Sequence, residues 1–464
     1  MFNQTSHVYL IGIGGIGMSA LARYFKAEGC EVCGYDRTET ALTRTLVAEG
    51  IAVHHTDDVN AIPQSYKKVK FRVLVVYTPA VPASNSEMQW FRARNYRMVK
   101  RSRILGSIVR GKKNIAIAGT HGKTSISTLA AHLLTAAGVG CDAFLGGISK
   151  NYNSNLLLAK RSAYVVVEAD EYDRSFLRLH PCIAVVTAMD ADHLDIYRTH
   201  VALKKAFAQF VSQITPGGLL IIKHGLTLPV SGSVRTFTYS LLDHDADFYV
   251  ENMRMDDDRY LFSLRTPCGL IENIRMGVPG LVNVENGIAA IAVSCFAGVD
   301  AEKIRAGMSS FEGVQRRFDE RICTDEAVYI NDYAHHPEEL RFTIESVRAL
   351  YPDRRITGVF QPHLYSRTRD LADEFAQSLS LLDTLILLDI YPAREEPIEG
   401  VTSKMIFDKV TIADKRLCAK DEVINILNNR KPGVLLTLGA GDIDSLAEPI
   451  EKMLKSKIKE HHHG

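Results

Sequence analysis

Short apolar runs alternate with helical patterns through the first hundred residues of the chain. His7–Gly12, Glu31–Asp36 and Val73–Tyr77 have the length and apolar character of buried strands, whereas Met18–Ala27 has the spacing of a helix. Strands that alternate with helices predict a mostly parallel sheet covered by helices. The basic stretch Arg92–Arg103 is interpreted as the exit from this unit.

A second series of buried strands follows that stretch. Its strands are predicted at Asn114–Ala118, Tyr164–Val167, Ile183–Thr187 and Leu219–Ile222, and its helices at Thr124–Ala136 and Asn283–Ala297. From about Val234 to Arg275 polar and apolar residues alternate, which predicts short antiparallel strands added to the sheet.

A third strand–helix series begins near Arg317. Its strands are predicted at Val328–Ile330, Ile356–Phe360, Thr384–Leu388 and Val434–Leu438. The predicted fold class is therefore α/β with three domains. These are a Rossmann-like N-terminal domain (1–104), a P-loop-type central domain with a small antiparallel extension (105–316), and a Rossmann-like C-terminal domain (317–464).

The composition and charge of the chain indicate which classes of molecule it binds. Hydrophobic residues make up 46% and charged residues 23% of the 464 residues, which excludes a disordered chain. The 55 Lys and Arg nearly balance the 54 Asp and Glu, which predicts small-molecule substrates rather than nucleic acid or an acidic membrane. No apolar run is long enough to cross a bilayer, and we expect a cytoplasmic protein. Cys30 and Cys33 lie in a predicted strand and are interpreted as buried thiols.

A glycine-rich loop joins the first strand to the first helix. It consists of Gly12, Ile13, Gly14, Gly15, Ile16 and Gly17. Glycines in this position let backbone N–H groups approach a diphosphate, with the helix N-terminus adding positive potential. Asp36, at the end of the next strand, is placed to bind a ribose. Taken alone, the loop predicts a dinucleotide such as NAD, and it suits the diphosphate of a sugar nucleotide equally well.

A second loop, after the strand at Asn114–Ala118, has the pattern of a phosphate cradle. It consists of Gly119, Thr120, His121, Gly122, Lys123 and Thr124. Lys123 is expected to contact the β- and γ-phosphates of ATP, and Thr124 to offer its hydroxyl to Mg²⁺. Two residues separate the glycines, where four are usual, so the loop is a shortened variant.

Polar residues follow the neighbouring strands. Glu168, after Val165–Val167, stands where phosphate-loop enzymes place a metal carboxylate. His193 follows another buried strand at the same end of the sheet. We expect His193 to act beside the Mg²⁺–nucleotide site rather than to be structural.

Two strand ends of the third series carry Asp, His and Arg. Asp332, His335 and His336 follow one strand, and His363 and Arg367 follow the next. Such residues at adjacent strand ends predict a polar cleft, in which Arg367 or Arg369 is suited to clamp a carboxylate. Helix capping and surface charge are the alternative explanation for some of them.

Taken together, these motifs resemble those of the Mur ligases and, within that family, of its alanine-adding subgroup. The residues that carry the resemblance span nearly the whole chain: Gly12–Ser19, Gly119–Thr124, Glu168–Glu171, Asp192–His193, Asn283–Asn286, Arg316–Asp319, Asp332–Pro337, Phe360–His363, Arg367–Leu371 and Leu438–Asp442.

The resemblance implies an ATP- and Mg²⁺-dependent amide ligase of peptidoglycan precursor synthesis. Such an enzyme joins L-alanine to the carboxylate of UDP-N-acetylmuramate through an acyl phosphate, and it is expected to be a monomer or weak homodimer. The first glycine loop would then hold the UDP diphosphate. The alternatives are a ligase that adds a preformed peptide to the same sugar nucleotide, an NAD-dependent oxidoreductase, and a non-catalytic nucleotide-binding regulator.

The resemblance also implies roles for individual residues. Lys123 would bind phosphate, Thr124 and Glu168 would hold one Mg²⁺, and His193 a second. Asn286 and Arg317 would contact ATP together with Asp332. His335, His336, His363 and Arg367 would line the amino-acid side, where His336 or Asp332 would assist loss of the amine proton.

The chain departs from the family pattern at four positions. Ala208 falls where related ligases carry a carbamylated lysine, so we predict no such group here. Val282 stands where histidine is usual, Leu364 where arginine is common, and Arg394 where glycine is common.

Overall fold

The computed structural model describes residues 4–190, 194–393, 395–430 and 433–463. Its strands form three sheets of five, ten and six strands. They lie in two compact units: the first comprises Met1–Asn252, Phe262–Ile274 and Asn286–Phe311, and the second Met253–Leu261, Arg275–Glu285 and Glu312–Gly464. The predicted α/β class with three sheet-based domains is confirmed, whereas the domain limits 1–104, 105–316 and 317–464 stay predictions.

The N-terminal sheet is wholly parallel, in the order β3-β2-β1-β4-β5. Its strands are β1 His7–Ile11, β2 Glu31–Tyr35, β3 Ala52–His54, β4 Val73–Tyr77 and β5 Arg97–Lys100, and its helices α1 Ile16–Ala27, α2 Ala41–Ala48, α3 Gln64–Lys68, α4 Ser86–Ala93 and α5 Arg101–Ile108. Tyr66 of α3 and Phe91 of α4 pack with Tyr9 on one face of the sheet. Val8 and Leu10, on the other face, join a core that continues into the central sheet.

The central sheet has the order β15-β14-β13-β12-β11-β10-β6-β9-β7-β8. Its strands are β6 Lys113–Ala118, β7 Asp142–Ser149, β8 Ser154–Leu157, β9 Tyr164–Ala169, β10 Ile183–Val186, β11 Leu219–Lys223, β12 Arg235–Ser240, β13 Phe248–Asp256, β14 Arg259–Thr266 and β15 Gly269–Arg275. The helices of this region are α6 Lys123–Ala136, α7 Leu194–Tyr197, α8 His200–Ser212, α9 Leu281–Phe296 and α10 Ala301–Ser310.

The extension of this sheet is less uniformly antiparallel than expected. β12 pairs in parallel with both β11 and β13. Between β13 and β14 only Asp257 and Asp258 intervene, and both have positive φ, as a tight hairpin turn requires. A two-residue connection forces these two strands to run antiparallel.

The C-terminal sheet has the order β16-β17-β21-β18-β19-β20, with β16 antiparallel at one edge and the other strands parallel. Its strands are β16 Asp319–Cys323, β17 Val328–Asp332, β18 Ile356–Phe360, β19 Thr384–Leu387, β20 Lys415–Leu417 and β21 Val434–Leu438. Its helices are α11 Pro337–Leu350, α12 Tyr365–Asp370, α13 Ala372–Leu379, α14 Lys404–Phe407, α15 Val423–Asn428 and α16 Ala447–His463. Separate apolar clusters cover its two faces.

Two local predictions are corrected. β9 extends to Ala169, so Glu168 lies within the strand rather than after it. The stretch Arg92–Arg103 is not an exit from the N-terminal unit, since it contains the edge strand β5 and the start of α5. No helix in the described ranges combines the length and apolar character needed to cross a membrane.

Candidate active site

The first glycine loop uses most of its own N–H groups to hold its shape. The Gly12 and Ile13 amides donate to the Tyr35 carbonyl oxygen, and the Gly15 amide donates to the Gly12 carbonyl oxygen. The first N–H groups of a helix have no partner within it, and α1 begins at Ile16. A diphosphate would therefore find its backbone donors mainly at Ile16 and Gly17, the end of the predicted motif.

Asp36 supports this loop. The Gly14 amide donates to its Oδ2 over 2.8 Å, and the Thr38 amide donates to its Oδ1 over 3.1 Å. A Cβ on Gly14 would lie 2.8 Å from the same Oδ2, so only glycine permits this approach. The carboxylate thus positions the loop, and its contact with a ribose stays a prediction.

Arg101 lies against the loop, although sequence reasoning assigned it no role. A Cβ on Gly17 would collide with the Arg101 guanidinium. The same guanidinium lies 3.6 Å from the Asp170 carboxylate, next to the central phosphate loop. A cation is therefore present where the diphosphate is expected. In the sequence, only its position in the basic stretch Arg92–Arg103 could have indicated Arg101.

Asn155 links the central sheet to the helix that opens at the first loop. This buried side chain donates from Nδ2 to the Ile16 carbonyl oxygen over 2.6 Å and to the Ser19 hydroxyl over 3.0 Å. The start of α1 is therefore hydrogen-bonded to the central sheet as well as joined to its own sheet. Nothing in the local sequence pattern around Asn155 indicates this role.

The second loop connects β6 to α6 and has the shape expected of a phosphate cradle. Gly119 and Gly122 have φ values of 138° and 78°, which favour glycine. Thr120 contacts Asp190, since the Asp190 amide donates to the Thr120 hydroxyl over 3.2 Å. His121 Nε2 lies 3.3 Å from the Asp190 carboxylate. The N-terminus of α6, a 14-residue helix, points its positive end into this loop.

Lys123 is held by Glu171 in this structure. Its ammonium donates to both carboxylate oxygens of Glu171 over 2.9 Å and to the Gly119 carbonyl oxygen over 2.6 Å. Burial opposes the charged ammonium, but the nearby carboxylates, Glu171 above all, outweigh it and raise the pKa of Lys123. The lysine is therefore charged at any physiological pH. Glu171 is fully buried. The sequence did not distinguish it from the other acidic residues of the run 168–173.

Thr124 and Glu168 meet at the start of α6. The Thr124 hydroxyl donates to Glu168 Oε2 over 2.8 Å. A Cβ on Gly146 of β7 would collide with the Glu168 carboxylate, so glycine makes room for it. A hydroxyl and a carboxylate side by side are oxygen ligands of the kind Mg²⁺ prefers. The pair therefore fits the predicted metal.

The remaining predicted residues of the first unit divide into two cases. Asn286 reaches the phosphate loop, since a Cβ on Gly122 would lie 2.8 Å from Asn286 Oδ1. His193, predicted to bind a second Mg²⁺, lies outside the described residues.

In the second unit, Asp332 closes a strained turn. The Phe318 amide donates to its Oδ2 over 2.5 Å and the Ala334 amide to its Oδ1 over 2.7 Å. Arg316 and Phe318, on either side of Arg317, have positive φ values of 62° and 45°. Burial raises the pKa of Asp332 to about 6, against the opposing effect of these hydrogen bonds and of Arg317.

Arg317 is stacked rather than extended into solvent. Its guanidinium carbon lies 4.6 Å from the centre of the Tyr333 ring, and that of Arg316 lies 4.8 Å from the same ring. Cation–π stacking of this kind fixes both side chains at the end of β17. The predicted neighbours Arg317 and Asp332 are thus brought together, with Tyr333 as an unpredicted support.

The four residues predicted for the amino-acid side form two linked pairs. His335 Nδ1 lies 3.0 Å from Glu339 Oε2, and the His336 amide donates to the same carboxylate oxygen over 3.2 Å. The His335 and His363 rings meet edge to face at 5.9 Å, and Arg367 Nη1 lies 3.4 Å from His363 Nδ1. Tyr391, which the sequence did not indicate, stacks on His363 at 5.8 Å.

The four residues that depart from the family pattern lie in different structural environments. Leu364 is buried and has a positive φ of 73°, which is strained for leucine. Val282 packs at the edge of the C-terminal apolar core. Ala208 lies within α8. Arg394 lies outside the described residues.

Comparison with known proteins places the whole chain in one family. The Mur ligase family catalytic domain matches residues 7–113, the Mur ligase middle domain residues 117–294, and the Mur ligase glutamate ligase domain residues 316–441. A UDP-N-acetylmuramate–L-alanine ligase from Parabacteroides distasonis is 50% identical over 459 residues, which are 98% of this chain and 99% of that protein. The Phocaeicola vulgatus protein of the same name is 49% identical over 458 residues, with 98% and 99% covered.

Solved structures agree with this placement. A UDP-N-acetylmuramate–alanine ligase from Thermotoga maritima superimposes with a TM-score of 0.82 at 25% identity, covering 97% of this chain and 99% of that one. A murein peptide ligase from Psychrobacter arcticus shares the fold, with a TM-score of 0.70 at 21% identity and 97% and 98% covered. Since the family domains and the relatives extend over nearly its full length, the chain belongs to the Mur ligase family.

Proposed function

We propose that this protein is an ATP-dependent ligase that joins L-alanine to the carboxylate of UDP-N-acetylmuramate. The observation that carries the proposal is the loop at 119–124, where a charged lysine, a hydroxyl beside a carboxylate, and a helix N-terminus converge. This combination suits a nucleoside triphosphate. The choice of L-alanine and the sugar nucleotide is supported by the relatives of about 50% identity that carry this name.

The phosphate loop would promote transfer of the γ-phosphoryl group to the sugar carboxylate. Lys123 neutralises charge that develops on the phosphate, and the α6 N-terminus supplies fixed N–H donors. Attack of the carboxylate oxygen breaks the bond between the γ-phosphorus and ADP and forms an acyl phosphate. Most of the rate acceleration would come from positioning and charge stabilisation.

Thr124 and Glu168 would hold one Mg²⁺, and the role predicted for His193 is a second metal contact. A bound Mg²⁺ supplies positive charge that screens the phosphate oxygens. Asn286, which faces Gly122, would contact the nucleotide from α9. In the second unit, Arg317 and Asp332 would complete the nucleotide contacts.

The amino acid would be received by the histidine and arginine cluster of the second unit. Arg367 is the cation suited to its carboxylate, beside His363 and His335. The amine attacks the acyl carbonyl, releases phosphate, and loses a proton. Asp332, with a pKa of about 6, and His336 are the two candidates that assist this loss.

The first glycine loop would hold the UDP diphosphate, with Ile16, Gly17 and Arg101 as its donors. An NAD-dependent oxidoreductase would use that loop too, but it would have no use for Lys123 paired with Glu171 or for the Thr124–Glu168 pair. Nothing in the site favours such a reaction.

The deciding experiment measures ADP release by the purified protein. UDP-N-acetylmuramate and ATP are supplied with L-alanine, glycine, L-serine or a tripeptide in turn. We expect L-alanine to give the highest kcat/KM, and release to require both other substrates. Preference for the tripeptide would assign the chain to the peptide-adding ligases, and ADP release without an amino acceptor would contradict amide synthesis.

A further inference from the structure

The near-neutral charge of the whole chain conceals a strongly basic segment. Between residues 59 and 113 there are thirteen Lys and Arg and a single acidic residue, Glu87. The Glu87 side chain is fully buried, where it accepts a hydrogen bond from Tyr9 over 2.6 Å and lies 2.6 Å from His54 Nε2. It therefore contributes little negative field at the surface. The balance of 55 basic and 54 acidic residues does not extend to this part of the molecule.

Three of these cations line one surface depression. The depression has a volume of about 400 Å³ and is formed by Lys67, Lys70, Trp90, Arg94 and Tyr96, here called the basic–aromatic surface. These residues come from α3, from α4 and from the turns that lead into β4 and β5. They lie at the amino ends of those parallel strands. The glycine loop follows the carboxyl end of β1, so the basic–aromatic surface is at the opposite edge of the sheet.

The same helices cover the face of the sheet that is turned away from the central domain. Tyr66, Phe91 and Tyr96 belong to the apolar cluster on that face. The core shared with the central domain is built from the other face, through Val8, Leu10 and α1. Packing of the N-terminal domain against the central sheet therefore leaves the basic–aromatic surface uncovered.

An exposed aromatic side chain stands beside these cations. Phe71 is 95% exposed, the highest value among the large hydrophobic side chains that the structure describes. The Lys70 ammonium lies 5.8 Å from the centre of its ring, and Arg72 follows it in sequence with an exposed side chain. A lone apolar ring surrounded by cations is the arrangement that lets a protein insert a side chain at a membrane interface.

The other two rings are already covered by the protein's own cations. The Lys67 ammonium lies 5.6 Å from the Trp90 ring centre, and the Arg94 guanidinium carbon lies 4.4 Å from it. The Lys70 ammonium lies 5.8 Å from the Tyr96 ring centre. Single-stranded nucleic acids bind through open aromatic faces, and a cation already lies over each of these two rings. Trp, Tyr, Lys and Arg together are the residues enriched where proteins meet lipid headgroups.

Three acidic residues, Glu28, Glu31 and Glu49, lie at the same sheet edge, where α1 and α2 end and β2 begins. Glu31, at the start of β2, accepts a hydrogen bond from the Ser65 hydroxyl over 3.2 Å and pairs with His7 at 3.2 Å. It is already engaged by partners outside the basic–aromatic surface. Glu49 pairs with Arg23 of α1, so two of these three carboxylates are already engaged by side chains outside the basic–aromatic surface.

We propose that the basic–aromatic surface binds the surface of an anionic phospholipid bilayer. The cations of Lys67, Lys70 and Arg94 pair with lipid phosphates, and Phe71 enters the boundary between headgroups and acyl chains. The interaction is peripheral and reversible, and the catalytic edge of the domain stays turned away from the lipid. The surface is separate from the residues assigned to ligation.

The test is co-sedimentation of the full-length protein with vesicles of phosphatidylcholine alone or with phosphatidylglycerol added. Trp90 is the only tryptophan in the chain, so its fluorescence emission reports directly on the basic–aromatic surface. We expect binding to the anionic vesicles only, a shift of Trp90 emission on binding, and weakening as salt is raised.

Variants locate the contact. Each cation near an anionic surface is worth roughly fivefold in partitioning, so Lys67→Gln/Lys70→Gln/Arg94→Gln should lose about a hundredfold. Phe71→Ser, at a side chain exposed to solvent, should weaken binding without affecting folding. Lys404→Gln/Lys409→Gln/Lys452→Gln removes the same charge from exposed sites of the second unit and should bind normally.

The proposal is overturned if anionic vesicles fail to bind the protein, or if both the triple variant and Phe71→Ser bind as well as the original chain. Binding to a single-stranded oligonucleotide that exceeds binding to anionic vesicles would assign the surface to nucleic acid instead. ADP release should be unchanged in Phe71→Ser, which separates this proposal from the assignment of the ligase reaction.

Discussion

At the loop 119–124, one buried carboxylate, that of Glu171, accepts two of the hydrogen bonds that the Lys123 ammonium donates. Glu171 is fully buried and accepts both of its short hydrogen bonds from the Lys123 ammonium. Each of the two charges stabilises the other in the interior. Lys123 and Thr124 could be predicted because the motif around them is local in sequence. Glu171 could not be singled out, since only the fold distinguishes it from the other acids in the run 168–173.

Lys123→Ala should abolish turnover and also weaken the fold. Loss of the phosphate-binding charge is expected to lower kcat by roughly a hundredfold or more. The same change leaves Glu171 buried without its ammonium, which should cost about 3–5 kcal/mol in the free energy of unfolding. Steady-state ADP release and chemical denaturation measure the two effects separately.

Lys123→Ala/Glu171→Ala is the matched control. Removing both charges should restore much of the lost stability while leaving turnover abolished. Near-normal activity in either variant would contradict the role of Lys123, and equal stability losses in the single and double variants would contradict the pairing.

Asp332 should titrate near pH 6. Its pKa is raised above the ordinary value by burial, so the folded state favours the protonated form. Its contribution to stability is therefore full below the ordinary pKa and declines as the pH rises to about 6, by about 3 kcal/mol in total. A ¹³C-carboxyl NMR titration, with the resonance assigned by its loss in Asp332→Asn, measures the pKa.

Asp414 serves as an internal reference for that titration. Hydrogen bonds from Arg430 lower its pKa to about 2. The two carboxyl groups should therefore titrate far apart in the same sample. An Asp332 midpoint near 4 would show that burial does not dominate at this site.

At the scale of elements, the glycine loop before α1 is held by hydrogen bonds with Asp36 on one side and Asn155 on the other. Strands rich in buried apolar residues, such as β4 and β21, could be predicted to the residue because they are uniform in character. The edge strands β3 and β8 were not predicted. They are three and four residues long, and their pattern carries too little information to distinguish them from loops.

Gly14→Ala should impair binding of the sugar nucleotide. Its Cβ would lie 2.8 Å from both Asp36 Oδ2 and the Thr43 methyl carbon, so the loop must shift. We expect the KM for UDP-N-acetylmuramate to rise at least about tenfold because the backbone donors at Ile16 and Gly17 are displaced. The KM for ATP should change little.

Gly232→Ala is the comparison for this variant. A Cβ at Gly232 meets no atom within 4 Å, so this loop residue tolerates alanine. Its kinetic constants should match those of the original protein. If Gly14→Ala also matched them, the loop would not be the diphosphate site.

At the scale of the whole molecule, the order of three sheet-based domains followed from the rhythm of strands and helices. The charge distribution did not, because chain-wide totals average the basic segment at 59–113 with acidic regions elsewhere. Cys30 and Cys33 were interpreted as buried thiols. All eight are free, with Cys33 buried and Cys30 half-buried.

Thiol reactivity should follow this burial. Burial raises the pKa of both Cys33 and Cys141 to about 12, so these two should resist alkylation until the protein unfolds. Cys268 and Cys323 are exposed, and burial raises the pKa of Cys323, so Cys268 should react first. Mass spectrometry of peptides after timed alkylation measures the order. Rapid modification of Cys33 or Cys141 in the native protein would contradict it.

The Lys123–Glu171 pair should also influence which anions bind at the loop 119–124. An anion that enters the loop must compete with a carboxylate already in place, so a ligand with little charge or few contacts gains nothing by displacing it. We expect a triphosphate, which would contact the N-terminus of α6 and the Lys123 ammonium together, to displace the Glu171 carboxylate from the lysine. Inorganic phosphate makes fewer contacts, so we expect the ion pair to weaken its binding at this loop more than that of a triphosphate.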